Sequence, residues 1–439
     1  MKRDLYSVAA IIALFALSGC GKKNPVREIS VVDSGIALAE PNTTLAESDW
    51  NQWRGPQLNG IAPAQELVTS WDDEANVVWR SDIAGRGHGS PIVIADSVYL
   101  ATCIDDQDTQ QLISYDRTSG KHRWTTAIHD AGLPPKGDIH KKATNANGTI
   151  ACDGQRLFIA MLNSEAIIAS ALDLKGKILW QQEIGKFVSR FGYAPSPVLY
   201  KSLVIFAADN GGGGYITAVD AATGTIAWRI ARGNGNSYSS PTVATVGGRD
   251  QLLISGGDAV CSYDPASGEQ LWKTPCLSES TCSTVVATNK LIFASGGYPE
   301  SGVVCLSADG KLNWKNDTKV YEPSLLVAGD KLIAVNDGGI GFCWQADTGQ
   351  QHWKKRLGGN FSASPILVDQ KVYVPNLSGD TFVFTPSDQY QLIAKNKLGD
   401  DCYASPAVSN GQIFLRVGVG TEGDRNEQLV CVGSSPESL

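Results

Sequence analysis

The sequence predicts an all-β chain folded as an eight-bladed β-propeller of four-stranded antiparallel blades. Three observations carry this expectation. Trp79, Trp124, Trp180, Trp228, Trp272, Trp314 and Trp353 recur at steps of 45, 56, 48, 44, 42 and 39 residues, the spacing of stacked supersecondary units. Each unit holds four short β-rich runs between turn signals, as in YAPSPVLYKSLVIFAADNGGGGYITAVDAATGTIAWRI at 193–230, and no stretch offers a long helical period. Finally, 46 Gly, 11 Trp and only two Met among 439 residues suit short strands and tight turns.

The N-terminal stretch stands apart. MKRDLYSVAAIIALFALSGC carries Lys2 and Arg3, then an apolar run from Val8 to Leu17. The run is too short for a spanning helix and reads as an export signal over 1–20. Leu17-Ser18-Gly19-Cys20 resembles a bacterial lipobox. That resemblance implies cleavage before Cys20, lipidation of its thiol and a membrane anchor. Gly21, where an Asp would retain the protein at the inner membrane, implies an outer-membrane lipoprotein facing the periplasm. Residues 21–48 lack periodicity and read as a flexible tether. An irregular segment packed on the domain follows over 49–75. Within it DWNQWRGPQLNGIAP, with Trp50, Trp53 and Arg54, reads as a structural plug. The propeller spans 76–433, and 434–439 form a tail.

The blades are counted from their first strands. Ser90-Pro91, Ser196-Pro197, Ser240-Pro241, Ser364-Pro365 and Ser405-Pro406 mark five, while Gly148-Thr149, Ser283-Thr284 and Ser324-Leu325 fill the same register in three more. The last unit, YASPAVSNGQIFLRVG and then EQLVCVG, lacks a fourth strand. NVVWRSDI at 76–83 is a fourth strand with nothing before it. The N-terminal strand therefore closes the last blade and removes the open sheet edges. The T-G turn of TAVDAATGTIAW joins strands three and four, where Gly supplies positive φ. Asp116, Asp220 and Asp264 are placed to accept backbone N–H groups in that turn. Each Trp on strand four fills the gap between blades and needs a partner for its indole N–H. Ala394 stands where blade 7 would have its Trp.

Nine cysteines follow Cys20. Cys305, Cys343 and Cys431 fall where Ala218 sits in the repeat and read as small core residues. Cys276 and Cys282 are left open as a pair or as free thiols. No Cys-x-x-Cys exists, so neither a zinc ribbon nor an attached c-type haem is supported. The formal charge of −8 gives no general attraction to nucleic acid. Gly211–Gly214 lacks the Lys-Ser/Thr of a phosphate loop, and 103–110 lacks the Gly and Glu of a calcium loop. No metal site and no catalytic residue are nominated.

The candidate ligand face is the channel mouth, where loops enter the innermost strands. Two residues before each first-strand mark stand His88, Asn147, Ala194, Tyr238, Thr281, Glu322, Ser362 and Tyr403. The loops add basic and amide groups from blades 1–4 and Glu279, Glu322, Asp400 and Asp401 from blades 5–8. One wall is expected to be cationic and the opposite wall anionic. The residues singled out are Arg86, His88, His140, Lys142, Asn145, Asn147, Arg190, Tyr193, Arg232, Asn236, Tyr238, Glu322 and Tyr403. A cationic wall with amides suits a carboxylate or phosphate.

Repeated A-x-D-x-x-T-G-x-x-x-W with an S-P strand resembles the PQQ-like β-propeller repeat family, over roughly residues 76–433. With the lipobox, the chain resembles exported BamB-like lipoproteins. That resemblance implies a monomeric, non-enzymatic scaffold without cofactor whose partners are envelope proteins, barrel-assembly components among them. W-x-x-W-R-G-P-x-x-x-G is similar to the opening of a broader group of exported PQQ-repeat proteins. The alternative that the family implies is a protein binding PQQ or another anionic small molecule, or a quinoprotein-type oxidoreductase, at the basic loop face. The lack of an adjacent Cys pair and the short chain weigh against catalysis.

Overall fold

A computed structural model describes residues 35–36, 38–40, 45–188, 191–421 and 424–434. The leader, Cys20, Arg190 and the tail beyond 434 lie outside the described residues. Eight four-stranded sheets are arranged as blades. Blade 3 is representative: Val198–Tyr200, Leu203–Ala208, Gly214–Asp220 and Ile226–Gly233, each antiparallel to the next. Its second strand, LVIFAA, is buried at every position. Neighbouring blades cover both faces of a middle strand, so it reads as a continuous apolar run. The outermost strand of blade 2, Ile178–Lys186, alternates between partly buried and exposed residues along most of its length because only one face is covered.

Blade 8 combines both ends of the chain, as expected. Ala407–Ser409, Gln412–Val419 and Asn426–Val432 are completed by Val77–Ile83, with Trp79 opposite Cys431. The same cross-strand pairing explains the small residues of the third strand. Ser114, Ala171, Ala218, Ser262, Cys305 and Cys343 each stand opposite a Trp. Blade 7 reverses the volumes, with Val383 opposite Ala394. Trp71 compensates. It is buried in one cluster with Tyr373 and Val383 of blade 7 and Val408 and Ile413 of blade 8, it stacks on Tyr373 at 6.4 Å, and its backbone N–H donates to Asn396 Oδ1. The N-terminal segment thus supplies the wedge that the blade's own sequence lacks.

The Asp-x-x-T-G turn does what its chemistry predicts. Asp220 Oδ1 accepts from the N–H groups of Ala222 and Thr223 at 3.1 and 2.8 Å. Gly224 has φ +74°, and a Cβ there would lie 2.7 Å from the ring of Trp180 in the preceding blade. Trp180 Nε1 donates to Ala221 O at 3.1 Å in the same turn. Both backbone strain and the wedge contact therefore oppose a side chain. Gly224→Ala is expected to cost about 1–2 kcal/mol, more than the conformational term alone. A thermal midpoint unchanged from the parent would refute the wedge contact.

All nine cysteines described are unpaired thiols, Cys276 and Cys282 included. Cys305, Cys343 and Cys431 are fully buried.

Candidate functional site

The first-strand mark builds a ring around the channel. Ser90 N–H donates to Thr149 Oγ1, Thr149 to Ser196, and Ser196 to Ser240. Thr284 N–H donates to Ser324 Oγ, Ser324 to Ser364, Ser364 to Ser405, and Ser405 back to Ser90. Each hydroxyl thus stitches one innermost strand to the next. Between blades 4 and 5 the link is made by Ser239 and Thr242, whose hydroxyls donate to Ser283 O and Val285 O, and Trp53 Nε1 donates to Thr284 Oγ1 at 2.8 Å. This ring corrects the register of blade 5. Thr284, not Ser283, holds the Ser position. Cys282 therefore stands at the mouth, while Thr281 is buried and bonded to Ser237 and Ser255. No Pro follows Thr284 to mark the register, so the shift is invisible in sequence.

The two expected walls meet across the mouth. Lys142 Nζ lies 3.2 Å from Glu322 Oε1, bridging the loop before blade 2 to the loop before blade 6. The N–H groups of Tyr321 and Glu322 donate to Asp337 at 2.9 and 3.0 Å and fix that loop. Partial desolvation pulls the Lys142 ammonium down, but Glu322 with Asp337 behind it outweighs this and leaves it above its ordinary range. Phe191 packs edge-on against both His140 and Tyr238. Cys282 lies beside Tyr321 and near the Lys142–Glu322 pair, and burial pushes its thiol up to about 12.

Several predicted site residues serve the fold instead. Arg232 is 3% exposed and paired with Asp209 at 2.7 Å, with Tyr263 Oη 3.0 Å away. Tyr193 is buried and donates its hydroxyl to Ala207 O. Asn147 ties its loop to Thr144 and Tyr193, Asn145 donates to Asp105, and Asn236 accepts from Gly211 N–H. On the acidic wall, Asp401 is paired with Arg425, and Asp400 accepts from Gly420 N–H. Asp209, Asp337, Arg416, Arg425 and Glu427 escape the sequence reading because they sit in or follow second strands, or sit in a third strand. The first-strand mark says nothing about those positions.

His88 stacks on Tyr403 with centroids 4.1 Å apart and planes 3° apart. Its Nε2 and the Nε of Arg86 are buried and have no hydrogen-bond partner among the described residues. Burial, then Arg86, Arg416 and Arg425, holds the imidazole well below its usual 6.5. Folded His88 is neutral where the unfolded chain would already bind a proton. Stability therefore rises with pH in that window: the contribution is complete above about pH 6.5 and is lost as pH falls below it. The thermal midpoint of the parent should drop between pH 7.5 and 5.5, and His88→Phe, which keeps a stacking ring, should flatten that drop. Equal slopes in the two proteins would count against this role.

The other end of the channel is partly covered by the N-terminal segment. Trp50 forms an antiparallel bridge with Val93 of blade 1, and Asn51 O accepts from Cys152 N–H of blade 2. Gly60 and Ala62 bracket Leu367 of blade 7. Arg54 is buried and donates to Leu325 O at 2.7 Å, and burial without a carboxylate partner lowers its pKa to about 9.

A family model described as outer membrane protein assembly factor BamB matches residues 61–208, 212–319 and 299–398. The chain belongs to this family. BamB of Burkholderia pseudomallei is 31% identical over 132 residues, 29% of this chain and 33% of that protein. Quinohemoprotein alcohol dehydrogenase ADH IIB of Pseudomonas putida is 27% identical over 220 residues, 47% of this chain and 30% of that enzyme. The chain thus spans about a third of the curated relatives it matches. The structure of Moraxella catarrhalis BamB superposes with TM-score 0.59 at 16% identity, covering 81% of this chain and 97% of that one. Quinohemoprotein alcohol dehydrogenase of Comamonas testosteroni gives 0.64 at 12%, covering 89% and 82%. At such identities both likenesses speak for the propeller alone.

Among the described residues, two of the cations expected to hold PQQ are already paired. A flat polyanion needs a slot edged by unpaired cations. Arg232 is committed to Asp209 and Lys142 to Glu322 across the slot itself. Arg86 keeps a buried Nε without a hydrogen-bond partner among the described residues. Among the described residues no group of three His, Cys, Asp or Glu side chains is placed to hold a metal ion.

Proposed function

We propose that the chain is a lipid-anchored envelope β-propeller that acts as a protein-binding scaffold, BamB-like in role, without catalytic activity of its own. The carrying observation is that the channel axis is occupied from within. Lys142 and Glu322 cross the mouth, and residues 50–62 cap the floor on blades 1, 2 and 7. Recognition then falls to the outer surface of the mouth. There Phe191 is 43% exposed and Tyr298 65% exposed, and Tyr298 is bridged to the Ser280 loop. Exposed aromatics on a loop face are the side chains that anchor protein interfaces. The family match supports partners among outer-membrane assembly components.

The second reading is a site for PQQ or another small anion, with quinoprotein-type oxidoreductase activity. It is favoured by the open donors of Arg86 and His88 and by the partial match to a quinohaemoprotein. Two measurements separate the readings. A photo-crosslinking residue at position 191 or 298 in cells should yield adducts with outer-membrane assembly proteins. Calorimetric titration with PQQ, with and without Ca²⁺, should give no heat. Micromolar binding abolished by Arg86→Ala, together with absent adducts, would replace the scaffold by the second reading.

A further inference from the structure

The plug uses the innermost strands in a regular way. Val93, Cys152 and Leu367 each lie three residues after the ring hydroxyl of their blade, at Ser90, Thr149 and Ser364. At this register the backbone faces the channel axis. Trp50 N–H donates to Val93 O at 2.9 Å and Val93 N–H to Trp50 O at 3.0 Å. Cys152 N–H donates to Asn51 O at 2.8 Å. Leu367 N–H donates to Gly60 O at 2.8 Å, and Ala62 N–H to Leu367 O at 2.9 Å. Blades 1, 2 and 7 are therefore capped by the chain's own backbone.

Blades 4, 5 and 6 carry the equivalent residues Val243, Ala287 and Val327, three after Ser240, Thr284 and Ser324. Ala287 and Val327 pair within their hairpins five residues ahead, with Ile292 and Leu332. Val93 and Leu367 do the same with Val98 and Val372. The repeat thus aims the same N–H and C=O groups at the axis. No plug backbone bond reaches them among the described residues. They line instead a cavity of about 500 Å³, walled on its other side by Gln57, Asn59 and Ile61 of the plug. No charged residue lines it. A row of open strand-edge groups beside an occupied one is a template for another chain.

We propose that this floor pocket binds a short uncharged segment of a partner polypeptide through backbone hydrogen bonds, continuing on blades 4–6 the mode in which residues 50–62 bind blades 1, 2 and 7. The occupant follows from the surface. The intramolecular precedent is backbone to backbone, the walls are Val, Ala and Ile with amide and hydroxyl rims, and nothing present would pair a charged side chain. The pocket lies at the opposite end of the channel from Phe191 and Tyr298, so it goes beyond the scaffold reading and each can fail without the other.

The test uses the full chain with selectively labelled Val methyl groups and the capped octapeptide Gly-Pro-Gln-Leu-Asn-Gly-Ile-Ala, the plug's own neutral stretch. Saturable shifts are expected at Val243, Val286 and Val327 and not at Val93. The same peptide N-methylated at its last Gly and Ala should bind at least tenfold more weakly. Thr245→Trp, at an exposed rim position, should abolish the shifts while leaving the thermal midpoint intact. Absent shifts, or equal binding of the N-methylated peptide, would overturn the proposal. So would saturable shifts with maltohexaose in place of the peptide, which would make the site a glycan site.

Discussion

Arg416→Met is expected to cost about 3 kcal/mol and to loosen the blade that closes the propeller. Arg416 and Glu427 are 2% and 1% exposed, with Nη2 to Oε2 at 2.6 Å. Arg416 Nη1 reaches across to Ala101 O of blade 1 at 2.7 Å. Glu427 in turn accepts from Gly87 N–H, on the loop leading into blade 1, and from Arg425. The pair is therefore both a buried ion pair and the fastening between the last blade and the first. Such a pair adds little net stability against an apolar replacement of both partners, but losing one partner leaves the other charge buried. Arg425 still neutralises part of Glu427, which keeps the cost at the low end of the usual 3–5 kcal/mol range. Blades couple chiefly to their neighbours, so the loss should appear locally. Amide exchange in Val77–Ile83 should accelerate before that of blade 4, and the urea midpoint should fall. Adding Glu427→Gln should recover part of the loss. A change under about 1 kcal/mol with unaltered exchange in the closing strand would show that the pair does not fasten the ring.

The fold was legible because its signals are local. A T-G turn needs a positive φ and a Trp needs a small residue opposite it, both met within about ten residues of chain, and the glycine beside six of the Trp recurs in the same turn of the next blade. Closure was legible for the same reason, since a blade without a fourth strand and a fourth strand without a blade complete each other. The mouth was not legible in this way. Whether Arg232 is a ligand or half of a buried pair depends on Asp209, across a loop of variable length. Whether Lys142 faces an open channel depends on Glu322, 180 residues later. Cys282 came to the mouth through a one-residue shift that only the hydroxyl ring reveals. Repeat signals place elements, whereas the pairing of charges around an axis is a property of all eight blades together. The plug shows both sides of this. Its Trp-rich composition announced a packed segment, but its register on Val93, Cys152 and Leu367 could be read only once the blades stood in a circle.

That register makes Trp50 the second position of large expected effect. Trp50 is 2% exposed, the largest side chain among those fully enclosed. Its ring sits so close to Gly55 that a Cβ there would lie 2.9 Å away. Trp50→Ala removes that ring from a site the surroundings cannot refill, because both strands of the bridge to Val93 are held by backbone bonds. The expected cost is about 3–5 kcal/mol. Trp53→Phe, by contrast, keeps an aromatic ring and loses chiefly the indole bond to Thr284, with some packing volume, an expected cost of about 1–2 kcal/mol. Limited proteolysis distinguishes a plug from a cover. If the segment is anchored through Trp50, the alanine variant should be cut within residues 45–62 while the blades, wedged by Trp against Gly at six of their junctions, stay resistant. Cleavage at parental rates, with a loss of stability under about 1 kcal/mol, would mean that the bridges to Cys152 and Leu367 hold the segment without it. The blades would then owe nothing to Trp50, and the floor of the channel would be set by the backbone alone.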